Sequence, residues 1–246
     1  MASLSSINPP VFNAAPVGDI GHRYSMQAKG NAEAEIYIYG DVGDDWFGGV
    51  TAKQFADDLK ALGKVDRISL RINSAGGDVF QGLTIYRLLV DHPATVVAHI
   101  DGMAASIASV IAMAATEINI AESAFLMIHN AWGFAIGNAD DMRTMASLLD
   151  KTTGSIRDVY VARTGKSSDQ VKKWMDAETW FTAQDAVDNG FATAISANMK
   201  LAARVDLSKH RFQKLPDAMA ATPNADSMRE RLARMKAKYD RRAIAA

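Results

Sequence analysis

The feature that most constrains the fold is a pattern used twice: a short apolar strand that runs into a glycine turn and leaves it as a helix. Arg67-Ile-Ser-Leu-Arg-Ile-Asn73 alternates apolar and polar residues and ends at Ser74-Ala-Gly-Gly-Asp78, after which residues 79–91 carry a helical pattern. Thr95-Val-Val-Ala-His-Ile100 repeats it, turning at Gly102 and continuing over residues 103–115 as a helix of small and apolar residues. A helix between successive strands lets those strands pair in parallel with helices on the sheet faces, which is an α/β architecture.

The rest of the chain fits that frame. Residues 34–40 alternate as a strand, 41–49 form a loop containing Trp46 and Phe47, and 51–62 form an amphipathic helix on Phe55, Leu59 and Leu62. Residues 117–121 and 124–129 read as short strands around a turn at Glu122-Ser123. Residues 138–164 place Met142, Met145, Leu149, Ile156, Val159 and Tyr160 on one side of a long amphipathic helix, which either projects to contact another copy or packs on its own sheet. Gly165 ends it; a short helix over 167–175, an extended piece over 176–183 and a helix over 183–189 closed by Gly190 complete the body.

Residues 1–33, with Asn8-Pro-Pro10 and Pro16, read as a flexible arm, and residues 215–224 as a linker. Ser227-Met-Arg-Glu230 has the capping-box spacing, and Met228, Leu232, Met235 and Tyr239 then form one apolar stripe. That predicts a final helix of partner-binding or coiled-coil type. The expected division is an arm (1–33), a folded body (34–199) and a basic extension (200–246). The extension matters because the net charge of −1 hides an asymmetry. Residues 1–199 carry 15 Lys and Arg against 23 Asp and Glu, a balance of −8, whereas residues 200–246 carry 12 against 5, a balance of +7. Such a tail suits contact with an acidic surface or nucleic acid, or is a solvated helix face; of these, nucleic acid is not the expected partner.

The chain has no cysteine, which removes a disulfide frame, a thiolate zinc site and a cysteine nucleophile. No apolar run approaches the roughly 20 residues of a membrane span, and no basic region precedes an apolar core at the N-terminus, so a cytoplasmic protein with no membrane partner is expected. No two histidines have metal-ligand spacing and no phosphate loop is present, so neither metal nor cofactor is expected.

Three positions could carry chemistry. Ser106 falls at the start of the helix after the second strand, where unpaired N–H groups and the helix dipole favour a developing negative charge; it is otherwise a small packing residue. Gly76-Gly77 lets a backbone approach a ligand closely and aim N–H groups at an anion, or is simply a tight turn. His129 lies at a strand exit, a place for work at a cleft edge or for a structural hydrogen bond. His99, His92 and His22 are weaker candidates.

Four stretches, in order, resemble the ClpP family of serine peptidases: Ile72-Asn-Ser-Ala-Gly-Gly77, Gly102-Met-Ala-Ala-Ser106, Met127-Ile-His129 and Glu178-Thr-Trp-Phe-Thr-Ala-Gln-Asp-Ala-Val-Asp-Asn-Gly190. The resemblance covers about residues 34–197 and is closer to the phage branch of head-maturation proteases. It implies a repeated β-β-α superhelical core, Ser106 as nucleophile, His129 as general base, and the backbone N–H groups of Gly77 and Ile107 as the oxyanion hole. The acid that orients the histidine falls on Glu178, where the family usually has Asp; Asp176 is the reserve, pointing the same way if the strand is extended. Asn130-Ala-Trp-Gly-Phe134 departs from the Gln-Pro and paired glycines usual in the family.

The expected activity is therefore that of a serine endopeptidase, ATP-independent by itself, that processes phage capsid or scaffold protein. The resemblance further implies a homo-oligomeric ring, with stacking of rings, and an unfoldase as a further partner. The alternatives are a crotonase-fold acyl-CoA enzyme, a housekeeping ClpP-type peptidase working with an unfoldase, a signal-peptide peptidase and a structural ring protein.

Overall fold

The computed structural model describes residues 24–30, 32–43, 49–197, 207 and 212–216. Trp46, Phe47, His22 and the stretch containing Ser227 and Tyr239 lie outside the described residues. In chain order the elements are β1 (Tyr24–Ala28), β2 (Glu33–Ile38), α1 (Ala52–Ala61), β3 (Arg67–Ser74), α2 (Val79–Val90), β4 (Thr95–Ala105) and α3 (Ile107–Ala112). There follow β5 (Glu117–Ala121), β6 (Phe125–Ile128), α4 (Ala139–Thr164), α5 (Ser168–Asp176), β7 (Thr179–Phe181), α6 (Ala183–Asp188) and β8 (Ala194–Ser196).

The sheet runs β1-β2-β3-β4-β5-β8, with β6 and β7 off this path. β2, β3, β4, β5 and β8 are parallel, and β1 is an antiparallel edge on β2. This is the mixed α/β fold expected of the strand–turn–helix alternation. One face of the sheet is apolar: Ile36, Ile38, Ile68, Leu70, Ile72, Ala98, Ile100, Ile118 and Ile120 are all buried. Phe55 and Leu59 of α1, Ile85 and Leu89 of α2 and every apolar residue of α3 pack into the same core. Alternation along β3 and β5 puts one face of the sheet under the helices and leaves the other only partly buried. The other face carries a partly buried ion pair, Arg71–Asp101, with the Tyr39 hydroxyl donating to Asp101 at 2.6 Å. Burial raises the Asp101 carboxyl, and Arg71 opposes that shift.

Three expectations are corrected. β4 does not end at Gly102; it continues to Ala105, and only its first half pairs β5. Its second half, Met103–Ala105, pairs β6 in parallel instead. A run of buried small residues suits strand or helix equally, and the β6 pairing decides it. Residues 24–28, assigned to the arm, form β1, because Tyr24, Ser25 and Met26 complete the open edge of β2. Residues 176–178 are not extended: Asp176 ends α5 and Glu178 sits at φ +48°. The long helix starts where the sequence placed it, with Asn138 and Asp141 forming a reciprocal capping box and Gly165 at φ +66° closing it. No helix among the described residues is long and apolar enough to cross a membrane.

Candidate active site

The site is built where β4 and β6 end side by side. Ala105 pairs with Met127, and the Ser106 N–H donates to the Met127 carbonyl at 3.0 Å. The chain then turns sharply at Ser106, with φ +55° and ψ −130°, before α3 begins at Ile107. A non-glycine residue held there stores about 1–3 kcal/mol. The surrounding packing sustains it: a Cβ on Gly76 would lie 2.7 Å from the Ser106 Cβ and 2.9 Å from the Ala105 carbonyl oxygen. The glycine turn after β3 thus packs directly under the serine elbow. Ser106 is the N-cap of α3, not a residue of its first turn as expected, because β4 runs on to Ala105.

His129 follows the last residue of β6, and its Nε2 lies 2.7 Å from Ser106 Oγ. That is within the reach a general base needs. For Nε2 to accept the serine proton, the neutral ring carries its own proton on Nδ1. Two residues twenty-three apart in the chain meet because β4 and β6 are parallel neighbours in register at their C-terminal ends.

Gly77, at φ +146°, bridges to Val42. The bridge consists of the Val42 N–H donating to the Gly76 carbonyl at 2.8 Å and the Asp78 N–H donating to the Val42 carbonyl at 2.7 Å. It therefore uses the groups on either side of Gly77, and the Gly77 N–H is directed away from Val42. A side chain at this position would collide with the Val42 carbonyl. The Ile107 N–H is the first of α3 and has no acceptor within its own helix. Gly77, Ser106, Ile107 and His129 all line one open cleft of about 340 Å³. The structure thus brings four of the six residues singled out in the sequence to one place. A serine, an imidazole and two backbone donors around a cleft can perform acyl transfer.

The two acids stand apart from that cleft's lining. β6 and β7 are antiparallel, pairing Met127 with Trp180 and Ile128 with Thr179, so His129 and Glu178 are the residues that flank the last pair of the ladder. Glu178 is buried. Its Oε2 accepts from the Gln213 N–H at 2.8 Å and its Oε1 from the Lys214 N–H at 2.7 Å. Phe212 stacks edge-on against Trp180 at 5.2 Å, and Leu207 and Phe212 cover Ala75, Met103, Ala105 and Met127. The segment after the folded body therefore returns to hold the turn that carries Glu178. Asp176 is solvated; it accepts from Asn130 Nδ2 at 3.0 Å and pairs with Lys172 at 2.6 Å. Those bonds, Asn130's first, hold its carboxyl below the ordinary range.

The cleft walls come from α2, the 130–134 loop and α4: Phe80, Trp132, Met145, Leu149, Thr152 and Ile156. Sequence reasoning read Met145, Leu149 and Ile156 only as a helix stripe, and it missed Phe80 and Val42. Phe80 was legible as an apolar residue in the first turn of a helix that starts at the site; Val42 gave no signal, since its role depends on a bridge between distant loops.

Comparison with known proteins places this chain in a family. The family model described as Clp protease matches residues 20–199. The ATP-dependent Clp protease proteolytic subunit 1 of Leifsonia xyli subsp. xyli is 31% identical over 192 residues, covering 76% of this chain and 95% of that protein. The ATP-dependent Clp protease proteolytic subunit of Ligilactobacillus salivarius is 30% identical over 194 residues, covering 78% and 96%. That of Bacteroides fragilis is 34% identical over 145 residues, covering 57% and 70%.

Proposed function

We propose that this chain, which belongs to the Clp protease family and is a serine-type peptidase, cuts peptide bonds with Ser106 as nucleophile and His129 as general base. The observation that carries the assignment is the 2.7 Å contact between Ser106 Oγ and His129 Nε2 at the cleft. Ser106 Oγ attacks the scissile carbonyl as His129 takes its proton, and the Gly77 and Ile107 N–H groups hold the resulting oxyanion. His129 then gives the proton to the leaving amine, and water repeats the sequence on the acyl-enzyme. Glu178, which flanks the end of the ladder that His129 also flanks, is the third member. Its Oε1 accepts from the Trp180 indole N–H at 3.5 Å as well as from Lys214, while its Oε2 has a second lone pair besides the one taken by Gln213. Ser106→Ala abolishes cleavage while the fold persists; cleavage that survives the substitution removes Ser106 from the role.

The walls around the cleft favour an apolar substrate side chain beside the scissile bond. A peptide series varied at that position tests this: Leu or Met is cut fastest and Asp or Lys slowest, and the reverse order contradicts it.

The active form is a ring of identical subunits, with stacking of rings. Phe134 and Ile136 are 74% and 100% exposed, and with Trp132, Met142 and Leu148 they put large apolar side chains on the surface of the 130–138 loop and α4, where a subunit contact would bury them. Sedimentation analysis is expected to find an oligomer that Ile136→Asp weakens; a monomeric, fully active wild type contradicts this.

The finer reading is processing of phage capsid or scaffold protein, in the host cytoplasm or the assembling virion. It is supported by the Asn130-Ala-Trp-Gly-Phe134 loop and by a basic extension that continues past the residues matched to the family. The reading as a housekeeping peptidase fed by an unfoldase is supported by the ATP-dependent designation of its relatives. Cleavage of a folded capsid or scaffold protein without an ATPase favours the first; dependence on an ATPase favours the second.

A further inference from the structure

The oxyanion donor Ile107 N–H shares a peptide unit with the Ser106 carbonyl. That unit is planar, so its C=O and N–H point in opposite directions. Whatever fixes the carbonyl fixes the donor. The Ser106 carbonyl accepts two hydrogen bonds from one residue: the Ser109 N–H at 3.0 Å and the Ser109 hydroxyl at 2.6 Å. Ser109 Oγ also lies 2.8 Å from Tyr160 Oη. A serine hydroxyl has one proton, and here it goes to the Ser106 carbonyl, so Tyr160 is the donor in the second contact. The result is a directed chain: Tyr160 O–H to Ser109 Oγ, Ser109 O–H to the Ser106 carbonyl.

Every member is rigidly placed. Ser109 is fully buried within α3, and Tyr160 is 1% exposed on α4, its ring edge-on to Phe191 at 5.8 Å. Burial also pushes the Tyr160 phenol far above its ordinary range, so it remains a donor at any working pH. The carbonyl it serves belongs to the residue with the strained elbow, φ +55°. That elbow has the most to gain from a second anchor, since strained backbone persists only where its surroundings over-determine it.

We propose that Ser109 and Tyr160 are positioning residues for the peptidase reaction: they lock the Ser106–Ile107 peptide so that the Ile107 N–H stays aimed at the oxyanion. Neither touches the substrate's reacting atoms; both act through the peptide unit. The inference rests on the peptidase reading above.

The test measures kcat, KM and the affinity of a peptide boronic acid, whose tetrahedral adduct on a serine uses the oxyanion donors as the transition state does. The variants are Tyr160→Phe, Ser109→Ala, Ser109→Thr and the Tyr160→Phe/Ser109→Ala double. Tyr160→Phe keeps the ring and removes only the hydroxyl. It lowers kcat about tenfold, the worth of one buried hydrogen bond expressed in the transition state, and leaves KM unchanged. Boronate affinity falls in parallel. Ser109→Ala does the same or more, Ser109→Thr restores activity by returning the hydroxyl, and the double variant is no worse than Ser109→Ala. If Ser109→Ala does not fold, Tyr160→Phe and Ser109→Thr decide between them. Unchanged kcat in Tyr160→Phe, a loss confined to KM, or losses that multiply in the double variant overturn the proposal. Failure of the underlying reading looks different, because the wild type itself would then not cleave.

Discussion

Replacing Gly76 by alanine is the sharpest perturbation of the site that touches none of its reacting groups. Gly76 has φ +100°, and an added Cβ would meet Ser106 Cβ at 2.7 Å, the Ala105 carbonyl oxygen at 2.9 Å and the Ile107 nitrogen at 3.2 Å. Ordinary contact begins at 3.4 Å, so Ser106 must retreat by about 0.7 Å or the turn must open. A displacement near 1 Å in a positioned group costs about 10²-fold in rate. Backbone strain at a glycine-only conformation adds about 1–3 kcal/mol of lost stability. Gly63→Ala separates the two effects: Gly63 also has positive φ, +69°, but nothing lies within 4 Å of its would-be Cβ. The expected result is a roughly 10²-fold fall in kcat/KM and in the rate of fluorophosphonate labelling for Gly76→Ala, with a lowered Tm. Gly63→Ala lowers Tm and leaves both rates alone. Wild-type kcat/KM in a folded Gly76→Ala protein refutes the claim that this turn underlies the nucleophile.

Other consequences follow from the acids and from the polar sheet face. Glu178→Gln lowers kcat by about 10²–10⁴-fold if Glu178 orients the imidazole, while Asp176→Asn, at a solvated carboxylate bound to Asn130 and Lys172, leaves kcat nearly unchanged; steady-state kinetics on both variants decides which acid serves. His99, partly buried and facing Arg71 and Arg67 with Glu35 opposing them, has its pKa lowered from 6.5 to about 4, desolvation being the largest cause. The unfolded chain therefore binds a proton below about pH 6.5 that the folded chain refuses until about pH 4, and stability falls across that window as pH drops, by at most about 3 kcal/mol. Urea titrations at pH 7 and pH 4.5 should show that loss in the wild type and much less of it in His99→Asn; equal losses in both would remove His99 as the cause.

Legibility in the sequence tracked the physics of each element. β3 was readable because its apolar residues alternate, and Ile68, Leu70 and Ile72 are the buried set. The start and stop of α4 were readable because Asn138 and Gly165 are local signals. The end of β4 was not, since Met103, Ala104 and Ala105 are buried in either conformation and only the pairing with β6 chooses. Ser106 and His129 were visible as chemistry at element ends, but their meeting depends on a parallel ladder between strands the sequence does not pair. The environment of Glu178 was hidden for the same reason: its partners Gln213 and Lys214 lie some 35 residues on. Tyr160 was readable as part of an apolar stripe; its hydroxyl's partner, fifty-one residues away, was not.

The most direct test of the central claim is the site of covalent labelling. The purified protein is treated with a fluorophosphonate, digested and sequenced by mass spectrometry. One adduct per chain, on Ser106, lost in Ser106→Ala and strongly slowed in His129→Ala, is the expected result. An adduct on a different serine, or labelling that His129→Ala leaves at full rate, contradicts it.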